Sequence, residues 1–195
     1  MILLSLNIKG VGGPLKAASI RRLLSKTLSD IIFLQETLVA EDKARHFMFS
    51  IRPEWMIFVV SSVRKLDRLM VSWDPKNFYL LPFPSCGSIF LSGTCLVDKR
   101  RISFLNVYVP CTDRKQFWEK VDGSGMLTHG DLIIVGDMNF MTNSEEFWGA
   151  TALVDPLAAF LKVFFFFFFI ISSSISPLRR WYLRGIMAEL ELTKW

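Results

Sequence analysis

Four short polar islands, each closing an apolar run, constrain this chain more than any other feature. Residues 1–4, 31–34, 102–105 and 132–135 are largely apolar. They lead into Ser5-Leu6-Asn7, Gln35-Glu36-Thr37, Asn106-Val107-Tyr108-Val109-Pro110 and Gly136-Asp137-Met138-Asn139. Short apolar runs bounded by polar residues read as buried strands. In layered α/β proteins ligands gather where strands end. Four strand ends, each delivering an Asn, an acid or a Tyr, define one oxygen-rich site. Such a site suits Mg²⁺, a hard cation that takes carboxylate and carbonyl oxygens and keeps several waters.

A length of 195 residues sets a single domain, or a domain with a tail. Half the residues are hydrophobic, so a packed core is expected. The net charge of +5 leans toward an anionic partner. Cys86, Cys95 and Cys111 are an odd number without metal-like spacing and read as thiols in a reducing compartment. The first residues lack the basic leader and long apolar run of a signal peptide. The expected location is therefore intracellular, in nucleus or cytoplasm, and not secreted.

Alternating elements follow from periodicity. Residues 1–8 read as a strand. Pro14 then opens a helix to about residue 28, with Ala17, Ile20, Leu24 and Leu28 forming one buried stripe. Residues 31–35 form a strand and 41–51 a helix. Residues 55–61, 68–73, 78–83, 89–97 and 102–109 read as five successive strands. Asp113-x-x-Gln116 has the form of a capping box before Phe117, Trp118 and Val121. Residues 131–135 add another strand. The order βαβα, then a β meander, then αβ fits stacked sheets with helices outside.

The four islands, in this order and at these separations, resemble the endonuclease/exonuclease/phosphatase superfamily. Within it the chain is most similar to the endonuclease domain that opens plant LINE-type retrotransposon polyproteins. Arg114-Lys115-Gln116-Phe117-Trp118 and Asn143-Ser144-Glu145-Glu146 extend the resemblance, which covers residues 1–161. It implies a DNase I-like four-layer α/β sandwich that cleaves phosphodiesters of DNA with Mg²⁺, Mn²⁺ being a possible substitute. By resemblance Glu36 is the metal-binding carboxylate, supported by Asn7. Tyr108 contacts the scissile phosphate, Asp137 positions or activates the attacking water, and Asn139 orients the phosphate. Lys9, Arg114 and Lys115 are the expected contacts to the nucleic-acid backbone.

Each residue has an ordinary alternative. For Glu36 the alternative is an exposed strand-end carboxylate, which the match to the motif disfavours, and for Asn7 and Asn139 it is a turn residue. Tyr108 reads as a core aromatic, and Asp137 as a helix N-cap. His46 and His129 match no catalytic position of the family and read as surface histidines. A phosphatase of the same superfamily and a non-catalytic nucleic-acid or protein-binding remnant are the competing functions.

The chain departs from the family pattern in three places. Leu6 stands where the family has Trp. Residues 64–68, Arg-Lys-Leu-Asp-Arg, replace a Gly-rich stretch. After about residue 161 the family's later strands, its late Asp and its Ser-Asp-His ending have no counterpart. The expected organisation is a C-terminally truncated domain over 1–162, a Phe/Ser-rich tract over 163–178 and an amphipathic helical tail over 179–195. The tract reads as translated pyrimidine-rich sequence rather than a membrane anchor, since its uncharged run falls short of the roughly 20 residues that cross a bilayer. Catalysis is expected to be impaired, because the family's general base is missing. Sheet faces meant for the missing strands are expected to be exposed.

Overall fold

A computed structural model of the chain describes residues 1–11, 13–60, 69–85, 87–129, 131–139 and 160. The strands are β1 (Leu3–Asn7), β2 (Ile31–Gln35), β3 (Met56–Val60), β4 (Leu69–Trp73), β5 (Phe78–Ser85), β6 (Ser88–Cys95), β7 (Arg101–Tyr108) and β8 (Leu132–Asp137). The helices are α1 (Pro14–Lys26), α2 (Glu41–Phe49) and α3 (Arg114–Gly123), with a 3₁₀ turn over Met126–Thr128. The strands form two four-stranded sheets, ordered β1-β2-β4-β3 and β5-β6-β7-β8. The meander is therefore divided between the sheets at the turn after Trp73, where Asn77 and Phe78 donate backbone N–H to Asp74 O. Among the described residues each sheet has four strands.

Four layers result. Between the sheets lie Ile31, Phe33, Val71 and Trp73 from one side and Phe78, Leu80, Ile89, Leu91 and Phe104 from the other. Phe104 meets Phe33 at 5.8 Å and Phe78 edge-on at 6.4 Å. The outer face of the first sheet is covered by Ile20 and Leu24 of α1 and by Ala44, Phe47 and Met48 of α2. The outer face of the second is covered by Phe117, Trp118 and Val121 of α3, with Phe160 packed beside them. β2 and β4 are buried along their whole length, as strands covered on both faces must be.

Two local expectations fail. α1 ends at Lys26, and Thr27 turns to extended backbone while its hydroxyl bonds Leu23 O. Leu28 thus leaves the buried stripe and is 85% exposed. The capping box at Asp113 does not form. Asp113 enters α3 from left-handed backbone, φ +58°, whereas a capping side chain needs extended backbone to reach the first turn.

Among the described residues β5 is an edge strand of the second sheet, and its outward residues Tyr79, Leu81 and Phe83 are exposed. Pro82 and Pro84 lie within that edge strand. Residues 140–159 and 161–195 fall outside the described residues. So do the tract over 163–178, the tail over 179–195 and the Asn143–Glu146 resemblance. Among the described residues no helix is long and apolar enough to cross a membrane.

Candidate active site

The site grows out of a period-2 pattern. β1 runs parallel to β2, and β7 runs parallel to β8. Side chains alternate between faces along a strand, so every second residue enters the layer between the sheets. On β7 that series runs Phe104, Asn106, Tyr108, and on β8 it runs Ile133, Val135, Asp137. On β1 it runs Leu3, Ser5, Asn7, and on β2 it runs Ile31, Phe33, Gln35. Each series starts apolar and ends polar, and all four polar ends lie at the carboxyl ends of their strands. The islands read from the sequence thus converge at one end of the sandwich.

Asn7 joins them. Its Nδ2 donates to Glu36 Oε1 at 2.7 Å and to Asp137 Oδ2 at 2.8 Å. One amide nitrogen therefore bridges two carboxylates from opposite sheets. Asn7 Oδ1 accepts the Lys9 backbone N–H at 3.1 Å, which fixes the orientation of the amide. Asn7 thus presents its nitrogen to the two carboxylates, and its oxygen is turned to the Lys9 N–H.

The flanking backbone is unusual. Lys9, Glu36 and Asn139 all have positive φ, at 43°, 52° and 46°. Non-glycine residues seldom adopt this region, and they cluster where a fold fixes a functional geometry. Here the loops after β1 and β2 are tied together: Ile8 N–H bonds Gln35 O, Gly10 N–H bonds Glu36 O and Val11 N–H bonds Thr37 O. These bonds hold Glu36 in its turn. Gly136 does the corresponding work for Asp137. Its φ is +120°, and a Cβ there would lie 2.0 Å from Val107 O, so only glycine fits.

Asn139 is held at three points. Its N–H bonds Asp137 Oδ1 at 2.9 Å, its Nδ2 bonds Val109 O at 2.5 Å, and its carbonyl accepts Arg114 Nη1 at 2.6 Å. Asp137 is a strand-end residue in a local turn, not a helix cap. Tyr108 is paired in register with Asp137 and is half-buried, with its ring against the inter-sheet core.

The expected backbone contacts divide. Lys9 and Lys115 are exposed, Lys115 lying 3.7 Å from Glu119 and over the Phe160 ring. Arg114 is half-buried, and its guanidinium donates to Asn139 O. His129 is exposed, packs 4.9 Å from the Phe90 ring and precedes β8, whose far end carries Asp137. His46 lies in α2. Sequence reading did not assign roles to Ser5, Gln35 and Asn106, which lie directly beneath the site. The signal was present, since each interrupts an apolar series at a core-facing position.

Comparisons with known proteins agree with this architecture. The Endonuclease/Exonuclease/phosphatase family model matches residues 4–183. A search of curated proteins finds no match. The catalytic domain of Xenopus laevis APE2 is similar at a TM-score of 0.64 and 18% identity, over 84% of this chain and 67% of that one. The endonuclease domain of TRAS1, a telomere-specific non-LTR retrotransposon, is similar at 0.58 and 12%, over 85% and 71%. The human Nocturnin catalytic domain, solved with a bound sulfate anion, is similar at 0.54 and 11%, over 72% and 64%. The chain thus spans less than two thirds of the Nocturnin domain. At these identities the likeness is one of fold. The family match extends over nearly the whole sequence, and the chain belongs to the endonuclease/exonuclease/phosphatase family.

Proposed function

We propose that this chain is a metal-dependent phosphodiesterase for DNA, of the LINE retrotransposon endonuclease kind, with low turnover. The observation that carries this reading is the Asn7 bridge between Glu36 and Asp137. Two carboxylates held this close repel unless a donor or cation lies between them. The donor set is hard oxygen. Mg²⁺ is commonly bound by one or two carboxylates and its own waters, so Glu36 and Asp137 suffice to hold it. Among the described residues no group of three or more His, Cys, Asp or Glu forms a dedicated cage, which favours weak, exchangeable binding. When bound, the cation would neutralise charge on a phosphate and lower the pKa of a water.

The chain's own residues supply the rest. Asn139, fixed at three points, retains a second amide hydrogen for a phosphate oxygen. Tyr108 stands next to Asp137 across the β7–β8 pair, where its hydroxyl serves the same purpose. Preorganised donors of this kind need no rearrangement as charge develops. Lys9 and Lys115 offer exposed charge to a backbone. The LINE assignment rests on the sequence resemblance and is supported by the fold shared with TRAS1.

Low turnover follows from the proton path. The histidines of the sequence are His46 and His129. His129 precedes β8 and Asp137 closes it, and the strand from Leu132 to Asp137 is about 17 Å long. General acid–base assistance is typically worth about 10²–10⁴ in rate, and its loss sets the size of the deficit. The test is nicking of supercoiled plasmid in Mg²⁺, with Glu36→Ala as control. Slow nicking abolished by the substitution is expected. Nicking that persists in Glu36→Ala would refute the site. The placement of His129 before β8, with Asp137 at the strand's other end, favours a second reading, a binding remnant, which salt-sensitive DNA retention without any nicking would support.

A further inference from the structure

Gln35 and Asn106 are 1% and 0% exposed. They come from different sheets, β2 and β7, and meet in the layer between them: Gln35 Nε2 donates to Asn106 Oδ1 at 2.8 Å. The same nitrogen reaches Ser5 Oγ at 3.2 Å. Asn106 Nδ2 is buried and finds no partner among the described residues.

This arrangement is poorly explained by stability. A buried amide with an unmatched donor is costly, and replacing both members of a buried hydrogen-bonded pair by apolar groups of like shape is often neutral or stabilising. Placement explains it better. Ser5 lies one inward step below Asn7, and Asn106 one inward step below Tyr108. Gln35 immediately precedes Glu36, whose left-handed backbone leaves little freedom to adjust. Asn106 is also paired in register with Val135, one inward step below Asp137. Directly above, Asn7 also links one sheet to the other through its side chain, to Asp137. Two directional bonds at successive levels thus fix the separation and register of the sheets where Glu36 and Asp137 face each other. Apolar contacts below them are non-directional and do not set that spacing to a fraction of an ångström.

We infer that Gln35 and Asn106 form an amide clasp that positions Glu36 and Asp137 for cation binding. They are positioning residues, acting through the strands that carry the carboxylates. This rests on the reading of Glu36 and Asp137 as the cation site, and the test separates the two. The key variant is Gln35→Met/Asn106→Leu, compared with wild type, with Glu36→Ala and with the exchanged pair Gln35→Asn/Asn106→Gln. Three quantities are measured: melting temperature, Mn²⁺ affinity from the electron paramagnetic resonance of free Mn²⁺, and hydrogen exchange of the Asn7 side-chain amide by NMR. Groups that hold metal ligands in place typically cost about 10–100-fold in affinity when lost. The apolar pair should therefore melt at or above the wild-type temperature, bind Mn²⁺ at least tenfold more weakly and exchange the Asn7 amide faster. The exchanged pair keeps an amide–amide bond and should recover much of the affinity.

Wild-type Mn²⁺ affinity and Asn7 protection in the apolar pair would overturn the inference. So would equal impairment in the apolar and exchanged pairs, or failure of the apolar pair to fold. If wild type binds no Mn²⁺ but the apolar pair still exposes the Asn7 amide, the cation reading falls and the positioning role stands.

Discussion

The layer between the two sheets has two ends that share one backbone scaffold and differ in everything else. At one end Ile31, Phe33, Val71, Trp73, Leu91 and Phe104 pack as one hydrophobic cluster. At the other, Gln35, Asn106, Asn7, Glu36 and Asp137 meet through hydrogen bonds of 2.7–2.8 Å. The first end rewards volume and tolerates rearrangement. The second rewards direction and tolerates little. The same strands continue through both, so the apolar end holds the sheets together and the polar end sets how the strand tips face each other.

That contrast can be broken most forcefully at the apolar end. Phe33→Ala removes a fully buried ring against Phe104 and should cost about 3–5 kcal/mol by urea denaturation. Phe33→Leu should cost far less. Equal losses from both would mean that this end is as shape-specific as the other.

Gly136→Ala tests the junction of β8 with the site. The added methyl would collide with Val107 O, and L residues resist this backbone, so a loss of about 3 kcal/mol is expected. Nicking should fall further than the melting temperature alone explains, because Asp137 follows directly. Asn7→Asp tests the polar end itself. It replaces the bridging amide by a third carboxylate and should cost about 1 kcal/mol at neutral pH. Added Mn²⁺ should restore the lost melting temperature in Asn7→Asp and leave wild type nearly unchanged. A variant as stable as wild type in the absence of metal would show that the two carboxylates do not depend on their bridge.

The smallest effect is predicted away from both ends. The Asp98 carboxyl is held at about 2 by hydrogen bonds, first from the Arg100 guanidinium and then from Cys95. A carboxyl whose pKa is depressed in the folded state contributes stability above its unfolded value, and this is lost as pH falls. The window here runs from about pH 4 down to 2. The pair is fully exposed, so Asp98→Asn should leave the acid limb of the melting curve almost unmoved.

Much of this division was legible in the sequence. Local pattern placed every strand to within a few residues, because apolar runs closed by polar islands can hardly be anything else. The convergence of Asn7, Glu36, Asp137 and Asn139 followed from the island order and from the family resemblance. What remained hidden was pairing across distance. Asn7 and Asp137 are 130 residues apart, and Gln35 and Asn106 are 71 apart. No local pattern states which strand tips will meet. Local chemistry also misled where backbone geometry overruled it. Asp113 has the right residue type for a cap but left-handed backbone, and Leu28 continues the apolar stripe of α1 but lies past its end.

The prolines of β5 carry a consequence for how copies of this protein behave together. A free strand edge offers a row of unpaired amides to any neighbouring chain, and exposed Tyr79, Leu81 and Phe83 beside it add stickiness. Proline within a sheet is accommodated only where its missing N–H would have faced away from the partner strand. Pro82 and Pro84 therefore leave gaps in the outward-facing ladder, and an incoming strand finds two rungs absent in succession. An aromatic surface that would otherwise invite fibrils is thereby made a poor template for growth.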